Sequence, residues 1–427
     1  MLATTLFLSM LMLLLMGVPI AFAVAGAALL AMVLLLPSMP LVLVPMSMFN
    51  GMDSFPMMAI PFFVLAGELM NRGGISMQLV RFSQSLVGHV RGGLGHTNVV
   101  ANAIMSSISG SALANIAAVG RVMIPAMREE GYDRSFAASI TIGASLLGPI
   151  IPPSITMVIF AVTANQSVGA LFLAGILPGA IICAGMMALV YVRSRRRQYG
   201  TITAFSLRRV GQEFHRSFLA LLMPVIILGG IFGGIMTPTE AAAVAAFYAL
   251  VVSMLIYRSI SLKEIWQVAL STTKTTSFIM LVIGAARVFS DVMLSEGVPE
   301  QIAGAMLSLS ENPVILLLLI NLLLLIVGFV MDTTAAIIIL VPVLMPVATQ
   351  IGIDPVSFGV LMSINLVIGM ATPPVGVALF LGSEVSGLRV EQLAGPVALV
   401  ILVHIATLLL VSFVPAVSLW LPEFFGY

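Results

Sequence analysis

The chain has 427 residues, of which 60% are hydrophobic and 8% charged, far below the roughly 25% charged content of soluble domains. With a mean hydropathy of +1.17 it lacks the polar surface a soluble core would need, and reads as a polytopic membrane protein. The net charge of +1 points to neither nucleic acid nor an acidic partner, and the single cysteine, Cys183, excludes disulfides and cysteine metal sites within the chain.

Apolar runs predict spans near residues 2–16, 18–36 and 55–72. The first is short, about 22 Å at 1.5 Å per residue, and Gly17-Val18-Pro19 reads as either a turn or a kink. The Met-rich start lacks the basic region of a signal peptide, since the first Lys or Arg is Arg72, and is kept as a span. ISMQLVRFSQSLVGHVR at 75–91 places apolar residues on one helical side and charges on the other, as in a helix lying in the membrane interface. Residues 95–127 are apolar at both ends but carry MSSISGSALAN at the centre, the pattern of a hairpin that turns on small polar residues and leaves on its side of entry. A span near 136–165, interrupted by LLGPIIPPSITM, and one near 168–192 complete a first half. A basic linker occupies 193–215. The order then repeats, with spans near 216–236, 238–257 and 273–295. SLKEIWQVALS at 261–271 reads as a second interface helix, and the two such stretches serve as arms joining a moving part to a fixed one or as surface anchors. A hairpin at 313–349 turns on Met331-Asp332-Thr333-Thr334. An interrupted span at 356–382, containing VIGMATPPVGVALF, and a span near 393–420 end the chain.

The halves are related by a constant offset. Pro152-Pro153 and Pro373-Pro374, Pro125 and Pro346, Gly131 and Gly352, and Asp133 and Asp354 are each 221 positions apart, which indicates an internal duplication with helices broken at matching places. Each half makes five crossings plus a hairpin, and an odd number forces the halves into opposite orientations. Charge tests this independently. If the arginine-rich 193–216 stretch is cytoplasmic, Arg72, Arg81, Arg91, Arg128, Arg134, Arg258, Lys263, Lys274 and Arg389 also fall inside and both termini outside. The outer loops then hold only acids, among them Asp53, Glu296, Glu300, Glu311 and Asp354.

A membrane-embedded proline frees carbonyl oxygens that must find partners. Both pairs are flanked by glycine and hydroxyl residues: Gly148, Ser154 and Thr156 in one half, Gly369, Thr372 and Gly376 in the other. Packing or water satisfies most such breaks. Here the carbonyls and hydroxyls also form a hard-oxygen cage suited to sodium, while half-helix N-termini attract an anion. The first tip offers Ser106, Ser107, Ser109, Gly110, Ser111 and Asn115, and the second Asp332, Thr333 and Thr334. Asp332, costly at bilayer depth, is a cation ligand, a proton carrier or a helix cap. Arg287 either pairs with Asp291 one turn away or attracts an anionic substrate. Thr237 and Glu240, with Pro238, read as a capping box, and the scattered methionines as core filler. The histidines (His89, His96, His215, His404) show no ligand spacing. An intramembrane hydrolase is disfavoured, because the serines cluster at a tip and His404 has no orienting acid nearby in sequence.

SGSALANIAAVG, GPIIPPS, MTPTEAAAVAAFYA, MDTTAA and ATPPVGVALF, in this order over essentially the whole chain, resemble the large membrane subunit of tripartite ATP-independent periplasmic (TRAP) transporters. The resemblance implies an all-α elevator-type fold built on an inverted repeat with two re-entrant hairpins and two broken helices. Its halves are 1–192 and 216–427. It implies no enzyme, a place in a bacterial inner membrane, a small four-span membrane subunit and a periplasmic solute-binding protein as separate partners, and a carboxylate cargo such as a dicarboxylate or sialic acid, with sodium coupling. One sodium site would use Ser106, Ser109 and the backbone of Gly148, Ile151 and Pro153. The other would use Gly328, Asp332, Gly369 and Thr372, giving at least two ions. Substrate would lie near Ser111, Asn115, Thr156, Asp332 and Thr333, with Arg287 the remaining candidate. Some relatives carry an acid where Asn115 stands. A symporter working alone, driven by sodium or by protons, would share these features.

Overall fold

A computed structural model describes residues 2–200, 204–310, 312–373 and 376–427. Glu311 and Pro374, both named above, lie outside the described residues. Those described form helices, turns and loops with no strand among them. The first half comprises α1 (Leu2–Leu15), α2 (Ile20–Leu35), α3 (Leu43–Met52), α4 (Ala59–Arg72), α5 (Ile75–Val87), α6 (Gly93–Ser109), α7 (Ala112–Glu129), α8 (Arg134–Ser145), α9 (Ile155–Thr163) and α10 (Val168–Arg197). The second comprises α11 (Leu207–Phe232), α12 (Pro238–Val251), α13 (Leu262–Ser295), α14 (Val298–Leu309), α15 (Pro313–Val330), α16 (Thr333–Gln350), α17 (Pro355–Met370), α18 (Val377–Ser386), α19 (Val390–Phe413) and α20 (Ala416–Phe424). Among the described residues seven helices are long and apolar enough to cross a membrane, and the α3–α4 pair, bent by 63°, makes an eighth if it is counted as one span.

The repeat holds at the level of elements. An offset of 221 carries α7 onto α16 end for end, α8 onto α17, α9 onto α18 and α5 onto α14, within a few residues. The marks that revealed it have local causes. Gly131 and Gly352 both adopt φ of +83°, where glycine alone is unstrained, and each turns the chain after the second helix of its pair. Pro125 and Pro346 sit inside α7 and α16. Asp354 caps α17 by accepting from Val356 N and Ser357 N, whereas Asp133 takes the hydroxyl of Tyr199. The Thr237–Glu240 capping box opens α12 as expected.

Three expectations are corrected. Residues 261–271 are not a separate interface helix but the opening turns of α13, which runs unbroken for 34 residues. Their counterpart by the offset is α3, which the hydropathy pattern did not single out, and the true counterpart of α5 is α14. Proline explains the difference. Pro56, in the short 3₁₀ turn between α3 and α4, cannot donate to a continuing helix, while its counterpart Ser277 keeps α13 straight. The linker is also shorter than expected, because α10 extends to Arg197 and α11 begins at Leu207. Finally, the last predicted span divides at Val414–Pro415 into α19 and α20.

Packing divides the helices into two groups. In one, α4 lies on α12 and α2 on α13, a pair of contacts related by the repeat. In the other, α6–α10 and α15–α20 interlock: α8 on α19 and α10 on α17, α7 on α18 and α9 on α16, α6 on α8 and α15 on α17. The helix pairs α6–α7 and α15–α16, each joined by a two-residue turn, bring their tips together on the side of this second group that faces α13.

Candidate functional site

Both predicted tips meet a break in a neighbouring helix. Residues 146–154 separate α8 from α9, and here Gly110 of the first tip sits where a Cβ would come within 2.6 Å of the Pro153 carbonyl. Gly148 is as close to the tip backbone, its Cβ position lying 2.6 Å from the Ser111 carbonyl carbon. In the other half Gly328, near the end of α15, packs on Gly369, near the end of α17, with no room for a Cβ on Gly369 and only a tight fit, 3.1 Å from the nearest atom, for one on Gly328. These glycines let backbones approach directly, as small residues do between membrane helices.

The first tip is held by a buried polar chain. Ser109 Oγ donates to Asn115 Oδ1 (2.6 Å), and Asn115 Nδ2 donates to Ser106 Oγ (2.9 Å). Ser106 Oγ donates to the Asn102 carbonyl (2.7 Å). Asn102 Oδ1 accepts from Ser145 Oγ (2.8 Å), Asn102 Nδ2 donates to Asn98 Oδ1 (2.8 Å), and Asn98 Nδ2 reaches Thr141 Oγ1 (2.7 Å). The sequence reading found the tip end of this chain but missed Asn98, Asn102, Thr141 and Ser145. Their four-residue spacing on α6 and α8 was the available signal. Each serine hydroxyl keeps an acceptor lone pair beyond its protein bonds. Close by, among the described residues, the carbonyls of Gly148, Ile150, Ile151, Pro152 and Pro153 accept no protein hydrogen bond, while Ser154 Oγ takes that of Pro149 (2.6 Å). Neutral oxygens thus gather where the first ion site was expected.

The second set is less concentrated. Asp332 caps α16, with Oδ2 accepting from Thr334 N (3.0 Å), so the capping role is realised while its other oxygen has no protein donor. Thr372 Oγ1 donates back to the Ile368 carbonyl (2.7 Å). Thr372 lines an apolar cavity of about 240 Å³ with Phe329 and Leu402, whereas Asp332 lines the central one.

That central cavity, about 240 Å³, is where the tips come together. Ser111, Thr156, Asp332 and Thr333 all line it, opposite Thr275 and Phe278 of α13. Thr333 Oγ1 also points at Met370 Sδ (2.8 Å). Three helices begin at its wall: Ala112 and Leu113 open α7, Ile155 and Thr156 open α9, and Thr333 and Thr334 open α16. One N–H at each of these N-termini is taken by its cap, Ser111, Ser154 or Asp332, and the other first-turn N–H groups and the positive ends of three dipoles lie at the wall of one space. Asn115 is fully buried behind the first tip and does not line the cavity. Arg287 is elsewhere, its Nε 3.1 Å from Asp291 Oδ1, in a separate cavity of about 210 Å³ with Asn50, Thr163 and Pro342.

The family described as "Tripartite ATP-independent periplasmic transporter, DctM component" matches residues 7–417. The chain is 41% identical to the sialic acid TRAP transporter large permease protein SiaM of Vibrio cholerae, over 96% of both chains. It is 40% identical to the isethionate TRAP transporter permease protein DctMQ of Oleidesulfovibrio alaskensis, over 95% of this chain and 64% of that one. The crystal structure of the Alcanivorax borkumensis YdaH transporter superposes with a TM-score of 0.60 over 86% of this chain and 87% of that chain at 14% identity, a likeness of fold alone.

Proposed function

Because this chain belongs to the DctM family of tripartite ATP-independent periplasmic transporters, we propose that it is the large permease of a sodium-coupled, binding-protein-dependent importer of small organic acids. The observation that carries this reading is the convergence of three helix N-termini on a cavity whose lining includes no Lys or Arg. Such a site holds an anion through backbone N–H groups and dipoles, with hydroxyls to read the rest of the solute. Sialic acid and isethionate, named for two relatives, both combine one anionic group with hydroxyls. A small four-span subunit and a periplasmic binding protein complete the importer in a bacterial inner membrane, with both termini periplasmic.

Sodium at the neutral oxygens of Ser106, Ser109 and the 148–153 backbone, and at Gly328, Asp332, Gly369 and Thr372, would order the two tips before the acid enters. Ion and acid then raise each other's affinity by the same factor. The interlocked group of helices carries the loaded site past the other group in an elevator movement. With the complex and its binding protein in liposomes, uptake of N-acetylneuraminate, isethionate or succinate depends on a sodium gradient, and Asp332→Ala abolishes it while the protein remains in the membrane. Wild-type kinetics in that variant would remove Asp332 from the mechanism. Uptake unchanged when choline replaces sodium would instead make Asp332 a proton carrier, and uptake without any binding protein would indicate a symporter working alone.

A further inference from the structure

Arg121 is a charge the transport reading leaves unused. It stands on α7 nine residues, about 14 Å, beyond Ala112 at the tip, with no other ionisable residue on the helix until Arg128. A guanidinium in the middle of an apolar hairpin arm is retained where it faces a partner or a water-filled space. Among the described residues it has no ion pair; the acid across the gap, Glu68, is turned to Arg72 at 3.9 Å.

Arg121 lines the last of three adjoining cavities. The central cavity shares Ser111, Leu113 and Ile155 with a second of about 270 Å³. That one shares Glu68, Asn71 and Ala114 with a third of about 510 Å³, which Arg121 lines. Together they run between α4 and α7 from the tips toward the ends of those helices marked by Arg72 and Arg128, the side that charge distribution assigns to the cytoplasm. The repeat gives the third cavity a counterpart. The position equivalent to Arg121 is Pro342, which lines the cavity holding Arg287, and there the guanidinium belongs to α13 and is already neutralised by Asp291. An unpaired cation therefore faces only one of the two related spaces.

We propose that Arg121 is the anion-collecting residue of the exit path: it competes with the three helix N-termini for the acidic group of the solute and draws it from the central cavity toward the cytoplasmic mouth. This rests on the reading of the cargo as an organic acid. The pairing of Arg287 leaves the counterpart cavity without such a pull, so the field along the route favours movement toward the cytoplasmic mouth.

The test uses the full chain in isolated membranes, with Cys183→Ala and Ala117→Cys. Ala117 lines the same cavity, one helical turn from Arg121, about 6 Å away. Rates of modification are compared for an anionic and a cationic methanethiosulfonate. The anionic-to-cationic rate ratio is expected to fall about tenfold on Arg121→Gln, about threefold from each reagent as a unit charge at this distance exerts through a watery path, and to be restored by Arg121→Lys. Succinate, against a chloride control of equal ionic strength, is expected to slow labelling when Arg121 is present and not in Arg121→Gln. An unchanged ratio, equal protection in both backgrounds, or no labelling in either would overturn the proposal. Failure of the transport reading would show separately, as absence of uptake of every acid by the reconstituted complex, and would leave the labelling result standing.

Discussion

Gly369 and Asn102 show how single residues hold the site together in two different ways. A Cβ at Gly369 would lie 2.5 Å from the Cα of Gly328, and since that neighbour is backbone it cannot turn aside. Gly369→Ala is therefore expected to destabilise by about 1–3 kcal/mol, read as a lower melting temperature of the purified protein. Gly395→Ala, where nothing lies within 4 Å, is expected to be neutral or slightly stabilising in its helix. Asn102 joins α6 to α8 inside the core, and Asn102→Ala leaves buried partners unsatisfied at an expected cost of about 1–3 kcal/mol, measurable in the same assay. The tips were legible from sequence because small polar residues interrupt strongly apolar runs. The asparagine chain was not, because Asn98 and Asn102 belong to the core of a helix whose ends alone were being read for polarity. Arg121 was overlooked in the same way, although it is the one formal charge between the start of α6 and Arg128.

Elements record what the repeat preserves and what it lets drift. The asparagine–serine chain of the first half has no equivalent in the second, where the matching positions are Leu319, Leu323, Val327, Val330, Ala336, Met362 and Leu366. The second half instead ties Asn365 to Asn321 and Asn321 to Ser412, at positions that are apolar or aromatic in the first. The halves thus share a backbone plan and differ in how the core is pinned. The contrast between the bent α3–α4 pair and straight α13 was not read from sequence: Pro56 stands at the break but drew no notice within a run taken as a span, and an amphipathic stretch such as 261–271 does not reveal locally whether its helix stops or continues into the apolar run behind it. Ser277→Pro, which brings the second half toward the first, is expected to cost about 3 kcal/mol by removing a hydrogen bond in the interior of α13, visible as loss of stability or of folded yield.

Across the whole molecule, the segment that links the halves is fastened to the first of them. Tyr199, just past α10, stacks on Tyr132 at 4.8 Å and on Phe136 at 5.8 Å, and its hydroxyl bonds Asp133. Burial, then the bond to Asp133, raises the Tyr199 phenol above its ordinary 10.0. A raised value favours the neutral form in the folded state, so this contribution is complete below pH 10 and lost as pH rises through the raised value. The stability difference between wild type and Tyr199→Phe should accordingly be constant from pH 7 to 9 and shrink only in stronger alkali. The orientation read from charge predicts that, in intact cells of a Cys183→Ala background, a cysteine at Glu300 reacts with an impermeant reagent from outside whereas one at Ser259 does not. The duplication was the most legible large-scale feature, because five marks at one spacing survive where side-chain detail does not. The bent pair also has a mechanical consequence. One half tethers its inner helices through a jointed link and the other through a 34-residue strut. A body hung between a compliant tether and a stiff one swings about the stiff end when pushed, so the proposed elevator movement would follow an arc whose pivot lies on the α13 side.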